Sequence, residues 1–148
     1  MESIEQYLYE LLYKKDVAEL IYIIRNCTDS KLLHLLIANY NWDNGTEFPK
    51  IVVTNKYCDI GTALMIFELF GGYSYLLDDK ESGFSKSEKA FLSELKDRIA
   101  NKHFAKQSIK YIPELTKIEK YYINKRHHNI SNIFIDGTEG EPIEIIIV

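Results

Sequence analysis

The chain has 148 residues, 46% hydrophobic and 27% charged, with a formal net charge of -4 at pH 7 and a pI near 5.6. That is enough chain to bury about 70% of its unfolded surface around one core without metals or disulfides, and the mild acidity argues against a nucleic-acid binder, whose phosphate contacts need a concentrated basic face. Cys27 and Cys58 lie far apart in no Cys-x-x-Cys pattern, which signals neither a zinc site nor a disulfide framework; Glu2, Glu5 and Glu10, without a basic start or a long apolar run, argue against a signal peptide or a membrane span and leave the cytoplasm as the expected compartment.

Ser3 is placed to cap a first helix in which Ile4, Tyr7, Leu8, Leu11 and Leu12 fall at helical spacing, with glutamates early and Lys14-Lys15 late, as the helix dipole favours. Asp16 starts a second helix with Val17, Leu20, Ile21 and Ile24 on one face, and Asp29 or Ser30 a third that runs through Leu32, Leu33, Leu35, Leu36 and Ile37 to Asn39. Connections this short make antiparallel neighbours, in the manner of helical hairpins.

The stretch from Asn39 to Gly72 concentrates the residues that are hardest to replace. Asn41-Trp42-Asp43-Asn44-Gly45 is a turn sequence, with Trp42 its packing anchor and Asp43 bonding the backbone that follows; Pro49 suits the first turn of a short helix over residues 49–55. Cys58 precedes Asp59, whose carboxylate is placed to accept the first free N–H groups of a helix that continues through Gly61, Thr62 and Ala63 to Phe70. Gly61 and Ala63 let another segment approach that first turn closely, Glu68 is the one charge in an otherwise apolar run, and Gly71-Gly72 ends the helix with a left-handed residue. The run Tyr40-Asn41-Trp42-Asp43-Asn44-Gly45 with Pro49, followed by Cys58-Asp59-Ile60-Gly61-Thr62-Ala63-Leu64, Phe67 and Gly71, resembles the signature of a small bacterial domain-of-unknown-function family, with Ile60 where Leu is commoner. The resemblance brings no activity with it. It implies kinship with small proteins, some of which act as immunity proteins beside secreted toxins, and it does not extend to the segment after Ser108.

Tyr73 to Leu77 leads into an exposed polar loop, Asp78 to Gly83. Ser85 and Glu88 then form a capping box, with Phe84 before it placed to staple onto the first turn of a helix that runs through Phe91, Leu92, Leu95 and Ile99 to about Asn101. From Ser108 the pattern alternates like a strand to Ile112, Pro113 breaks it, and residues 114–126 predict another helix. Lys102 to Arg126 is the one basic region, seven cations against two acids. Two β-branched runs, residues 132–135 and 143–148, flank an acidic Gly-rich turn and predict a hairpin, with residues 108–112 as a third strand; an uncovered apolar terminus would be an aggregation hazard, so internal pairing is expected over completion by a partner. The expected fold is therefore mainly α, an antiparallel bundle or helical-hairpin array with a small C-terminal β-hairpin or sheet. One domain over residues 1–148 would divide into a helical core, 1–101, and a basic segment with the β element, 102–148.

No phosphate loop, Ser-His-Asp element or HExxH is present. Cys58 at a helix start, with His34 as base and Asp43 orienting it, is the best catalytic constellation, yet nothing in the spacing requires the three to meet. Asp43, Glu47 and Asp59 read as turn and cap residues before they read as metal ligands or paired carboxylates, and His127-His128 as a polar helix end before a metal site. No catalytic residue, metal or cofactor is expected. The leading expectation is a protein-binding module, an immunity protein that covers the active site of a basic toxin such as a nuclease: residues 1–100 carry sixteen acids against eleven cations. Asp78, Asp79 and Glu81, and Asp136, Glu139 and Glu141, are the expected contact residues, while Trp42, Asp43, Gly45, Pro49, Cys58, Asp59, Gly61 and Thr62 are expected to be structural. The alternatives are a small hydrolase or ligand-binding domain using Asp43, Cys58 and Asp59, and weak RNA binding through residues 102–126.

Overall fold

The structure is a computed structural model and describes residues 2–78 and 83–148. Helix α1 (Ile4–Tyr9) starts where Ser3 Oγ accepts the Gln6 N–H at 3.1 Å, and it runs on into a single π-helical turn, Glu10–Lys14, closed by the Lys15 N–H on the Glu10 carbonyl. Helix α2 (Val17–Arg25) is capped by Asp16 and α3 (Ser30–Asn39) by Asp29, whose Oδ1 accepts from both Lys31 and Leu32. Only Ile24 of the expected α2 face is fully buried. Val17 is 74% exposed, because it stands at the mouth of an apolar cleft that it shares with Leu12, Tyr13, Leu20 and Phe48 and that no described residue fills.

A 3₁₀ turn, Trp42–Asn44, follows. Its cap is Asn41, which accepts the Asp43 N–H at 3.0 Å; the residue that bonds backbone here is therefore Asn41 and not Asp43. Gly45, at φ 99°, takes the left-handed conformation the turn needs. Helix α4 (Glu47–Thr54) begins two residues before the expected start, with Pro49 in its first turn.

Helix α5 (Ile60–Phe70) is the axis of the molecule. Every residue from Ile60 to Phe67 is buried, and α3, α4, α7 and the first strand all pack on it. A helix apolar on all sides is stable only when enclosed, and each fully buried large side chain such as Phe67 or Leu64 contributes about 2 kcal/mol. Gly71, at φ 103°, caps α5 and turns the chain into a further short helix, α6 (Gly72–Leu77), where the sequence had suggested only a lead-in to a loop. Helix α7 (Lys86–Ala100) carries the Ser85/Glu88 capping box; the stapling position in its first turn is Lys89, and Phe84 packs instead beside Tyr75 and across Gly71.

The C-terminal third departs most from expectation. Strand β1 (Ile109–Lys110) is short, and α8 (Lys117–Arg126) starts three residues late because a second capping box, Thr116 with Glu119, sets its beginning. Residues 132–135, expected as a hairpin strand, give way to one helical turn, α9 (Ile133–Asp136), which carries Phe134 into the core 5.2 Å from the Phe67 ring. The second strand, β2 (Glu141–Pro142), pairs with β1 in parallel, Ile109 opposite Glu141, so the small β element is a parallel sheet and not a hairpin. Residues 143–148 join no ladder. The Asn39 side chain holds them in its place, donating to the Ile146 carbonyl at 2.8 Å and accepting the Val148 N–H at 2.9 Å, as a neighbouring strand would. Among the described residues no helix is long and apolar enough to cross a membrane.

Candidate functional site

The densest polar cluster in the interior surrounds the start of α5. Asp59 is 0% exposed and its carboxylate collects four donors: Oδ1 accepts the Gly61 N–H at 2.8 Å and the Ile109 N–H at 3.1 Å, and Oδ2 accepts the Ser108 N–H at 2.7 Å and the Ser108 hydroxyl at 3.2 Å. The backbone adds a bridge, with the Ile60 N–H on the Lys106 carbonyl. Asp59 is thus a helix cap, as expected, and also the fastener that joins residues 106–109 to the helical core. Gly61 is what lets that strand in, since a β-carbon there would lie well under 3 Å from the Ile109 carbonyl oxygen.

One turn on, Thr62 Oγ1 meets His34 Nδ1 at 2.9 Å, and both are buried. Thr138 lies beside Gly61 and β1, where its hydroxyl donates to the Ile109 carbonyl and accepts the Tyr111 N–H. Glu68 accepts the Tyr111 hydroxyl and, at 2.9 Å, the Glu114 N–H. Burial drives His34 well below the ordinary imidazole range, to about 4, with the Asp59 charge pulling weakly the other way. The fold therefore favours neutral His34. That contribution is fully present above the unfolded value near 6.5 and is lost as pH falls from there toward 4. Between pH 7 and pH 5, wild-type protein should lose about 2 kcal/mol more stability in urea than His34→Gln does. Equal losses in the two proteins would contradict this.

The catalytic constellation does not assemble. Cys58 is buried, its Sγ faces the Asp59 carbonyl at 3.6 Å, and desolvation pushes its thiol up to about 12, the opposite of what a nucleophile at a helix start needs. His34 is engaged with Thr62. Asp43 and Glu47 are exposed on the Trp42 turn and α4 while Asp59 is interior, so the three carboxylates do not share a site. Among the described residues no group of three or more His, Cys, Asp or Glu is arranged to hold a metal. His127 Nε2 donates to the Leu76 carbonyl at 2.8 Å, which caps α6, and His128 is exposed. Trp42 packs edge-on against Tyr40 and Phe70 with its indole Nε1 buried and without a partner.

Asp136, Glu139 and Glu141 are exposed on a loop that is itself held firmly: Gly137 and Gly140 have positive φ and lie against the Tyr111 and Ser108 carbonyls, Thr138 is buried, and the Glu141 N–H bonds the Ser108 carbonyl. Asp78 is half-buried; Asp79 and Glu81 lie outside the described residues. The acidic loop is not alone on its face. Lys102 and Lys110 line a polar cleft of about 730 Å³ together with Asp136 and Glu139, so its charge is mixed. The other cations of the basic region, Lys106, Lys117, Lys125 and Arg126, are exposed, and Lys120 is half-buried.

Sequence reasoning did not foresee the partners of four of these groups, Glu68, His34, Thr138 and Asn39. Two carried a signal. A lone acid in the apolar run of α5 and a histidine among the leucines of α3 must each find a hydrogen-bond partner when buried. Thr138 and Asn39 meet partners 27 to 109 residues away, which no local pattern marks.

Fold and site together define a mainly α-helical domain in which the polar residues of one central helix start fasten a C-terminal segment to the core. Residues 28–100, from just before α3 to the end of α7, match a family model described as a domain of unknown function (DUF4274). Neither the curated proteins nor the solved structures compared with the chain include a match.

Proposed function

We propose that this is a cytoplasmic protein-binding module, an immunity protein that neutralises a basic toxin by covering its active site. The observation that supports the reading best is the division of labour among the charged and reactive groups. Asp59, Cys58, Thr62 and His34 are enclosed and engaged within the fold, whereas Asp136, Glu139 and Glu141 face solvent on a loop whose backbone is already fixed. A pre-ordered acidic loop loses little conformational entropy on binding and steers a basic partner by its field. The test is tagged protein recovered from its own cells at low and moderate salt, beside the triple variant Asp136→Lys, Glu139→Lys, Glu141→Lys. A stoichiometric basic partner that wild type retains and the triple variant binds at least about tenfold more weakly is the expected result. Equal retention would remove the loop from the interface, and no partner for wild type would remove the protein-binding reading.

A further inference from the structure

We propose a binding site for a small organic cation, an amine carried on an aromatic or aliphatic body, in the cleft between the π-helical turn, α2, the Trp42 turn and α4. The cleft has a volume of about 410 Å³, within the range of small-molecule sites, and Leu12, Val17, Leu20 and Phe48 supply much of its apolar lining. Its aromatic wall is held in place. The Tyr40 and Phe48 rings stack 4.7 Å apart at 17°, the Tyr40 hydroxyl donates to the Gly45 carbonyl at 2.7 Å, and Trp42 packs edge-on against Tyr40. A wall ordered in advance loses little entropy when a ligand arrives. The exposed Tyr13 joins the lining from the π-helical turn, a departure from regular helix that recurs at functional sites.

The polar groups of the lining decide the charge of the ligand. Most are already engaged: Asn39 holds the C-terminal segment, Asn41 accepts the Asp43 N–H, and Lys15, the one cation of the lining, pairs with Glu19 at 3.8 Å and also acts on the Asp16 carboxylate. Glu47 is the one anion of the lining, and its carboxylate makes no hydrogen bond or ion pair with any described residue. An open carboxylate and aromatic rings lining one largely apolar cavity form a donor set for an ammonium group: the carboxylate takes the charge, the ring faces attract it, and the aliphatic side chains take the carbon body. An anionic ligand would meet Glu47 with no free cation to answer it, and a neutral one would gain nothing from the carboxylate. Glu47 also stands in the first turn of α4, where the helix dipole alone favours an acid; that role predicts an effect on stability and no ligand. The cleft shares no lining residue with the acidic loop or with the cluster at the start of α5, so this site is tested independently of the protein-binding reading.

The probes are phenylbutylamine, its neutral analogue phenylbutanol and its anionic analogue phenylbutyrate, each titrated into the isotope-labelled full chain and followed by amide NMR shifts. Ionic strength near about 0.15 M screens diffuse surface attraction beyond about 8 Å. The amine should give saturable shifts at Tyr13, Val17, Asn44 and Phe48 and bind about fivefold more tightly than the alcohol, with the acid weakest. Glu47→Gln should abolish the preference for amine over alcohol and leave binding of the alcohol unchanged, whereas Tyr13→Ala should weaken both alike. Both positions are exposed, and urea unfolding will show that each variant folds. Shifts that do not saturate at the cleft, equal binding of amine and alcohol, or a preference that survives Glu47→Gln would overturn the site. Displacement of the amine by an acetyl-leucyl-lysine amide that binds more tightly would overturn the small-molecule assignment in favour of a partner's lysine side chain.

Discussion

Asp59→Ala should lower stability by about 4 kcal/mol, a large part of the 5–15 kcal/mol that holds a typical domain together. The carboxylate is fully buried and serves the N–H groups of Gly61, Ser108 and Ile109 and the Ser108 hydroxyl. Each buried donor left without an acceptor costs roughly 1–3 kcal/mol, and loss of a helix cap adds about 1 kcal/mol, partly offset where water follows the shortened side chain. Asp59→Asn should fall between wild type and Asp59→Ala. Its one oxygen can still serve Gly61 and Ile109, but its amide nitrogen would face the Ser108 N–H, donor against donor. Urea unfolding of the three proteins at pH 7 checks the order, and a loss below about 1 kcal/mol for Asp59→Ala would mean that residues 106–109 do not depend on this carboxylate.

Gly61→Ala should destabilise by about 2–3 kcal/mol, and here the sign is as informative as the size. Gly61 lies in the first turn of α5 without a positive φ, so in an open helix alanine would be the better residue by about 1 kcal/mol. The added methyl has nowhere to go. It would enter the Ile109 carbonyl, which is backbone and cannot swing aside as a flexible side chain would, and it would crowd the Thr138 hydroxyl 3.2 Å away. Moving β1 outward to relieve the clash would lengthen the Asp59 bonds to Ser108 and Ile109, so the two substitutions act on one junction and should combine non-additively. A thermal melt suffices. A raised midpoint for Gly61→Ala would show that no strand lies against this turn.

The helices were legible because their signals are local. Ser3, Asp16, Asp29, Asp59 and Ser85 each stand immediately before an apolar run of helical period, and each caps the helix expected of it. The C-terminal third misled for the converse reason. Residues 133–135, Ile-Phe-Ile, have strong β preference, yet the core needs Phe134 against Phe67, and a single helical turn delivers it there. Gly137 and Gly140 look like the turn of a hairpin, but their missing side chains admit the Tyr111 and Ser108 carbonyls of a strand that runs parallel. For the site, the cap role of Asp59 and the small side chain of Gly61 were readable from spacing. That Ser108 and Ile109 would be the segment brought to them was not, because the link spans some fifty residues and depends on where α7 delivers the chain.

Amide hydrogen exchange at Ser108 and Ile109, compared between wild type and Asp59→Asn, tests most directly whether the polar residues at the α5 start serve as an internal fastener. Both amides should exchange in wild type only through openings nearly as costly as global unfolding. In Asp59→Asn the Ser108 amide, left without its acceptor, should exchange much faster and Ile109, which keeps one, less so, while the Leu64 to Phe67 amides of α5 stay protected. Fast exchange of Ser108 and Ile109 in wild type, or protection that the substitution leaves untouched, would contradict the fastener and return Asp59 to the list of groups free for other chemistry.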